Sequence, residues 1–271
     1  MQTPLALPRR PLVRTAWLPL YLAAMAQAAA APSGLLNDTG QTRCLNSAGN
    51  ALEACSTANT GNASARPGQD GRFGRDPAAG NPGAPGFSKP PGSGGSGGFA
   101  FTPLDVSGTA IALTGSPPVP SATPRCIWDR VTNLIWEVKT DDNGLQDKDW
   151  TYGWGANTTG TCDVGQSPAG CSTNNYISAL NAVAGGVCPV AGAGAWRLPT
   201  LPELLSIVDH DRSSPGIDVN YFPNTVNSYY WSATVYVPDP AYAWYVYFYD
   251  GYTLAYDQSD SFHVRLVRSG Q

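Results

Sequence analysis

The sequence predicts an α+β domain, two helices followed by an antiparallel β meander, carried behind a Gly/Pro-rich arm. Three observations predict it. Thr200-Leu201-Pro202-Glu203 opens an amphipathic stripe with the signature of a helix N-terminus. From Tyr229 onward, runs of aromatic and β-branched residues alternate with turn signals, the mark of consecutive strands. Between Arg66 and Gly98 the chain is dominated by Gly, Pro and Ser, and such a stretch buries too little apolar surface to offset its ordering entropy.

At the start of the chain, Arg9, Arg10 and Arg14 precede an apolar run from Ala16 to Ala26 and then small residues, the layout of a secretory signal peptide. Ala26-Gln27-Ala28 offers the cleavage site, which sets 1-28 as the leader. The run is short for a bilayer span of about 20 residues, so no transmembrane anchor is expected after cleavage. The expected location is the periplasm, the cell surface or the extracellular space. Losing three Arg lowers the basic count from 16 to 13 against 20 acidic residues, a formal charge of -7. That sign argues against a nucleic-acid partner, which selects a basic field. Six Cys in an exported chain, with no Cys-x-x-Cys pair, point to disulfides rather than to a metal or catalytic role. The pairing stays open on these grounds, since six Cys allow many connectivities.

Residues 29-66 form a small N-terminal extension and 67-98 a Gly/Pro-rich linker, read as a flexible arm. Glycines at 68, 71, 74, 80, 83, 86, 92, 95 and 98 share one three-residue register, interrupted at Pro77 and Lys89. That pattern is collagen-like but short and broken, which favours a plain linker over a triple helix.

Residues 99-271 form the domain, long enough for one well-buried core. Phe99 to Leu104, Ala110 to Leu113 and Leu134 to Val138 read as short strands. Tyr176, Ile177, Leu180, Val183 and Ala184 recur at helical spacing, with Asn174 or Asn175 as N-cap and Gly185-Gly186 as the stop. In the second helix, Thr200 and Glu203 make a capping box, Pro202 sits in the tolerated first turn, and Leu201, Leu204, Leu205 and Val208 form the buried stripe. Tyr229 to Val237, Tyr242 to Asp250, Tyr252 to Tyr256 and Phe262 to Arg268 are the strands of the meander, with Asp250-Gly251 as a hairpin turn. Returning the terminal strand beside the first would give a C-type-lectin-like architecture.

The segment from Trp196 through Arg197-Leu198-Pro199-Thr200 to Asp209 is followed in order by Tyr221-Phe222-Pro223-Asn224-Thr225, Tyr230-Trp231-Ser232-Ala233, Ala243 to Phe248 and Val264 to Arg268. Together these resemble the Lcl C-terminal domain family of exported bacterial proteins, long described as a domain of unknown function and found capping a collagen-like surface adhesin. The resemblance implies a C-type-lectin-like fold and an adhesin-like role. With sequence proximity, the family layout implies the pairs Cys44 with Cys55, Cys126 with Cys188, and Cys162 with Cys171. Trp196 to Asp209 also resembles the matching part of formylglycine-generating enzymes, but their catalytic cysteine pair has no clear equivalent here, so that likeness ends at the fold.

Period two along Tyr242 to Tyr249 places Trp244, Val246 and Phe248 on a core face and Tyr245, Tyr247 and Tyr249 on the other. A tyrosine row stacks on sugar rings and offers hydroxyls to them, and Tyr252 and Tyr256 extend it. These five are the candidate ligand-binding residues, although cross-strand packing explains the same pattern. Asp141-Asp142-Asn143-Gly144 with Asp147 and Asp149 superficially resembles a calcium loop, but its spacing is not that of an EF-hand. The calcium-holding triplets of sugar-binding C-type lectins are absent as well. No metal, cofactor or catalytic residue is expected: His210 and His263 are the only histidines, and no nucleophile elbow, zinc motif or phosphate loop occurs. The expectation is therefore a non-enzymatic binding module for a surface glycan or protein partner, with self-association left open. Its rival is a structural subunit of a cell-envelope or surface assembly. The resembling adhesin implies a sulfated ligand; the acidic charge here fits a neutral glycan or a protein better.

Overall fold

The computed structural model describes residues 91–95, 98–163, 165 and 169–270, together with the backbone of 43–45 and 52–54. The leader at 1-28, the linker up to residue 90 and Cys55, hence the expected Cys44 to Cys55 bond, lie outside the described residues. Strands β1 (Arg43–Leu45) and β2 (Leu52–Ala54) form an antiparallel ribbon that sets Cys44 opposite Glu53.

The described domain is mostly β, with antiparallel sheets and two helices. In order it comprises β3 (Phe101–Leu104), β4 (Leu113–Thr114), β5 (Val119–Pro120), β6 (Cys126–Asp129), β7 (Leu134–Glu137) and β8 (Tyr152–Gly153). Helices α1 (Thr173–Asn181) and α2 (Leu201–Leu205) come next. The chain then forms β9 (Tyr229–Val235), β10 (Tyr242–Tyr247), β11 (Tyr252–Asp257), β12 (Ser261–Phe262) and β13 (Val267–Ser269). One sheet has the order β13-β7-β6-β3 and a second the order β11-β10-β9. The terminal strand therefore does not return beside the first: β13 pairs with β7, and β6 and β7 separate it from β3. The expected strand from Phe262 to Arg268 is split as well. Phe262 pairs with Tyr152, whereas Val267 pairs with Trp136, and the buried Arg265 lies between them.

Helix α1 is capped by Ser172, whose hydroxyl accepts from Asn175 N–H at 3.2 Å, not by Asn174 or Asn175. Asn175 instead donates its amide to the carbonyls of Ala169 and Gly170. At the other end, the Asn181 side chain exchanges two hydrogen bonds with the backbone of Trp196, both 2.9 Å, and so ties α1 to the segment that leads into α2. The capping box of α2 is present, and Arg197 makes a two-pronged ion pair with the same Glu203 carboxylate. Burial pushes the Glu203 carboxyl up, but Arg197 and the Thr200 N–H outweigh it and hold the group below the usual range. The helix is shorter than its apolar stripe. Ser206 closes it by donating its hydroxyl to Glu203 O at 2.6 Å, so Val208 is buried from the following turn.

Two contiguous buried clusters form the core, one around Tyr152, Tyr176, Trp196 and Trp231, the other around Phe99, Phe101, Trp136, Phe222 and Phe248. Disulfides join Cys126 to Cys188 and Cys162 to Cys171. The first staples β6 to the segment before Trp196, the second the loop before α1.

Candidate functional site: a tyrosine-rich sheet face

Strand β10 is the centre of its sheet, and the register decides which residues share a face. Tyr247 lies across from Tyr252 on one side and Tyr229 on the other; Tyr245 lies across from Leu254 and Trp231; Ala243 lies across from Tyr256. Directly opposed residues project to the same side of a sheet, so one face collects Tyr229, Tyr247, Tyr252, Leu254 and Tyr256. Tyr249 follows the strand and stacks on Tyr247 at 5.7 Å. Tyr229, Tyr249, Tyr252, Leu254 and Tyr256 are exposed, Tyr252 at 52% and Tyr256 at 45%.

The structure corrects the sequence reading of this row at three points. Tyr245 is only 5% exposed and belongs to the core, because Tyr229 and Phe262 close over it at 4.8 and 5.2 Å. Burial pushes its phenol up, with Tyr229, Tyr252 and Tyr256 adding to the effect. Trp244, expected in the core, is half-buried, beside a register shift between Ala243 and Tyr245 that breaks the alternation. Tyr249 also lies outside β10, because the hairpin turn takes Phe248 to Gly251 rather than two residues alone. Gly251 is needed there: its φ is +85°, and a Cβ would come within 2.6 Å of Val208 Cγ1.

Sequence reasoning missed Tyr229, Leu254 and Phe262. Tyr229 was legible as a strand residue, but only the register puts it beside Tyr247. Phe262 packs against Trp231, Tyr245, Tyr229 and Tyr256 with ring centroids 4.3 to 5.6 Å apart, and so covers the part of the face over Tyr245. The segment that carries the face holds charges of one sign. From Ser213 to Phe262 the chain has no Lys, Arg or His, but it has Asp218, Asp239, Asp250, Asp257 and Asp260. Asp250 accepts from Tyr252 N–H at 3.1 Å just before β11, and Asp257, its last residue, accepts from Ser259 N–H at 2.8 Å, a bond that holds its carboxyl below the usual range.

Three other features hold polar chemistry. The carboxylates of Asp141, Asp147 and Asp149 lie within 4.8 Å of one another. The Lys148 ammonium sits 2.8 Å from Asp141 and 3.1 Å from Asp149, so the loop carries its own cation. Asp147 accepts from the N–H groups of Asp142, Asn143 and Asp149. Burial pushes its carboxyl up, and those three donors outweigh burial to hold it low. A groove of about 610 Å³ opens between the helix N-termini and β9, with Trp154, Ile177, Leu198 and Ala233 as apolar walls and Arg197 and Thr200 at its polar side. Its members are scattered along the chain and left no local sequence signal.

The third is a sealed charged cluster. Glu137 receives Lys139 Nζ at 3.2 Å, the Tyr176 hydroxyl, Gln146 Nε2 at 3.3 Å and Leu266 N–H at 2.8 Å, while Arg265 donates to Glu137 O at 2.8 Å. Burial pushes the Lys139 ammonium down, opposed by Glu137, and pushes the Tyr176 phenol up. His263 is half-buried next to this cluster, and burial lowers its imidazole, with the charge of Lys139 acting in the same direction. His210 is exposed in a turn, four residues past the Ser206 cap, and not at a helix end.

Among the described residues no helix is long and apolar enough to cross a membrane. No curated protein and no solved structure matches the chain. The sequence model described as the Lcl C-terminal domain matches residues 125–268, from just before β6 to within β13. That span is more than half of the 271 residues, and the chain belongs to the Lcl C-terminal domain family.

Proposed function

We propose that the chain is an exported, non-enzymatic binding module that attaches to a surface glycan through the tyrosine-rich face of the β11-β10-β9 sheet. The observation that carries this reading is the exposure of Tyr229, Tyr249, Tyr252, Leu254 and Tyr256 on one sheet, with the Phe262 ring packed against Tyr229 and Tyr256. A contiguous exposed apolar patch of that kind marks a contact site. Phenol rings supply flat apolar area for a pyranose while their hydroxyls exchange hydrogen bonds with it. The surrounding Asp residues and the absence of any cation from Ser213 to Phe262 repel a sulfated or otherwise polyanionic chain, so the ligand is a neutral glycan. A protein surface is the alternative partner for the same face.

Export is supported by the leader-like N-terminus and by two disulfides, which persist in oxidising compartments. The C-type-lectin-like arrangement is supported by the first and last domain strands sharing one sheet, by the two helices and by the separate meander. A glycan-array screen of the oxidised mature protein against its Tyr252→Ala, Tyr256→Ala variant tests the proposal.

A further inference from the structure

A cavity of about 390 Å³ opens beside the end of α1 and shares no residue with the tyrosine face. Small-molecule sites run from roughly 300 to 1,000 Å³, so it has room for one small metabolite. Leu180 near the end of α1, Val183 and Val187 build its apolar wall, and Arg125, Gln146 and Asp142 its polar wall. The two walls are joined covalently, because Arg125 precedes Cys126, Val187 precedes Cys188, and those cysteines form a disulfide. The polar loop is held as well: Asp147 accepts from Asp142 N–H at 2.7 Å and from Asn143 N–H at 2.6 Å. A site fixed in this way loses little freedom when a ligand enters it.

Two opposite charges line this cavity without pairing with each other. Among the described residues Arg125 has no ion pair, and its guanidinium donates once, to Gln146 Oε1 at 2.6 Å. Gln146 is 5% exposed and donates its own amide to Glu137 at 3.3 Å. A buried, neutral partner therefore orients the guanidinium and leaves its charge and its other N–H donors unspent. Asp142 takes both of its side-chain hydrogen bonds on Oδ1, from Thr140 Oγ1 at 2.7 Å and Gly144 N–H at 3.0 Å. Its Oδ2 has no partner among the described residues, and the neighbouring Lys148 is committed to Asp141 and Asp149.

We propose that this cavity binds a free α-amino acid with an apolar side chain. The ligand carboxylate takes the unspent donors of Arg125 in charge-assisted hydrogen bonds, its ammonium takes Asp142 Oδ2, and its side chain lies on Leu180, Val183 and Val187. A ligand with a single charge would cover the opposite wall charge and leave it without a counter-ion, which is costly, whereas a zwitterion satisfies both. The site stands or falls independently of the glycan reading.

The test is isothermal titration calorimetry of the full oxidised mature chain with leucine, valine and phenylalanine, the fold of each protein being checked by its thermal transition. The expected result is saturable binding of at least one of the three. The N-acetyl derivative of that amino acid lacks the ammonium and its carboxamide lacks the carboxylate, so each should bind about ten-fold or more weakly, the worth of one hydrogen bond to a charged group. Asp142→Asn, which keeps the Oδ1 acceptor, should weaken the amino acid but not its N-acetyl derivative, and Arg125→Gln the amino acid but not its carboxamide. A folded chain that binds none of the three up to millimolar concentration, or derivatives that bind as tightly as the parent, would overturn the proposal without recourse to any variant. Binding that survives Arg125→Gln in a folded variant would overturn it too. Binding that is lost in a folded Tyr252→Ala, Tyr256→Ala variant would assign the ligand to the tyrosine face instead and so overturn this site.

Discussion

Tyr252 lies directly across from Tyr247 in the β10–β11 hairpin, yet the two differ in what surrounds them. Tyr247 is half-buried, clamped between strands with the Tyr229 ring 4.6 Å away, whereas Tyr252 on the outer strand is 52% exposed. The central strand supplies the support and the edge strand the contact surface. Substitutions at Tyr252 and Tyr256 therefore test binding with little effect on stability, while substitution at Tyr245 would disturb the core.

Glu137 should be the most sensitive polar residue of the fold. Its carboxylate satisfies Lys139, Tyr176, Gln146 and Leu266 in a sealed interior, and removing one partner of a buried pair leaves an uncompensated charge, costing about 3–5 kcal/mol. Glu137→Ala is expected to lower the unfolding free energy extrapolated from a urea titration by that amount. A loss below about 1 kcal/mol would show that the cluster is hydrated or rearranges.

The two disulfides should differ in weight. Constraint of the unfolded chain grows with loop length, and the sequence separations are 62 for Cys126–Cys188 and 9 for Cys162–Cys171. Replacing both members of the first pair by Ser should cost about 4 kcal/mol, and of the second about 2.5 kcal/mol. The reverse ranking in denaturant titrations would contradict this role of the long staple.

Stability should fall on acidification through His263. Burial lowers its folded pKa below the ordinary value of 6.5, so below that value the unfolded state binds the proton more readily. Its contribution is complete above pH ~6.5 and declines toward the folded pKa, with a slope of at most ~1.4 kcal/mol per pH unit for one proton. His263→Gln should flatten stability between pH 7 and pH 5. An unchanged slope would assign the acid sensitivity to other groups.

Local chemistry made several elements legible in the sequence. Thr200 and Glu203 form their capping box because both partners lie within one helical turn, and the strands at Tyr229 and Tyr252 follow from their aromatic and β-branched content. Period two misassigned Tyr245 because a strand's pattern says which residues share a face and not what covers that face. The cover is Phe262, from a strand paired with the distant Tyr152. Likewise, no local signal shows that Arg265 interrupts the last strand: its partners Glu137 and Thr225 are 128 and 40 residues away. The groove at Trp154 was unreadable for the same reason, being assembled from α1, the segment that leads into α2 and β9.

The central claim is that the exposed tyrosines of β11 hold a neutral glycan. Its most direct test is a glycan array probed with the oxidised mature protein and with the Tyr252→Ala, Tyr256→Ala variant, the fold of each checked by its thermal transition. The account predicts saturable binding to uncharged glycans, weakened at least ten-fold in the variant and unchanged by a chelator. Binding that survives both substitutions in a folded variant, or a folded wild-type chain that binds no glycan, would contradict it.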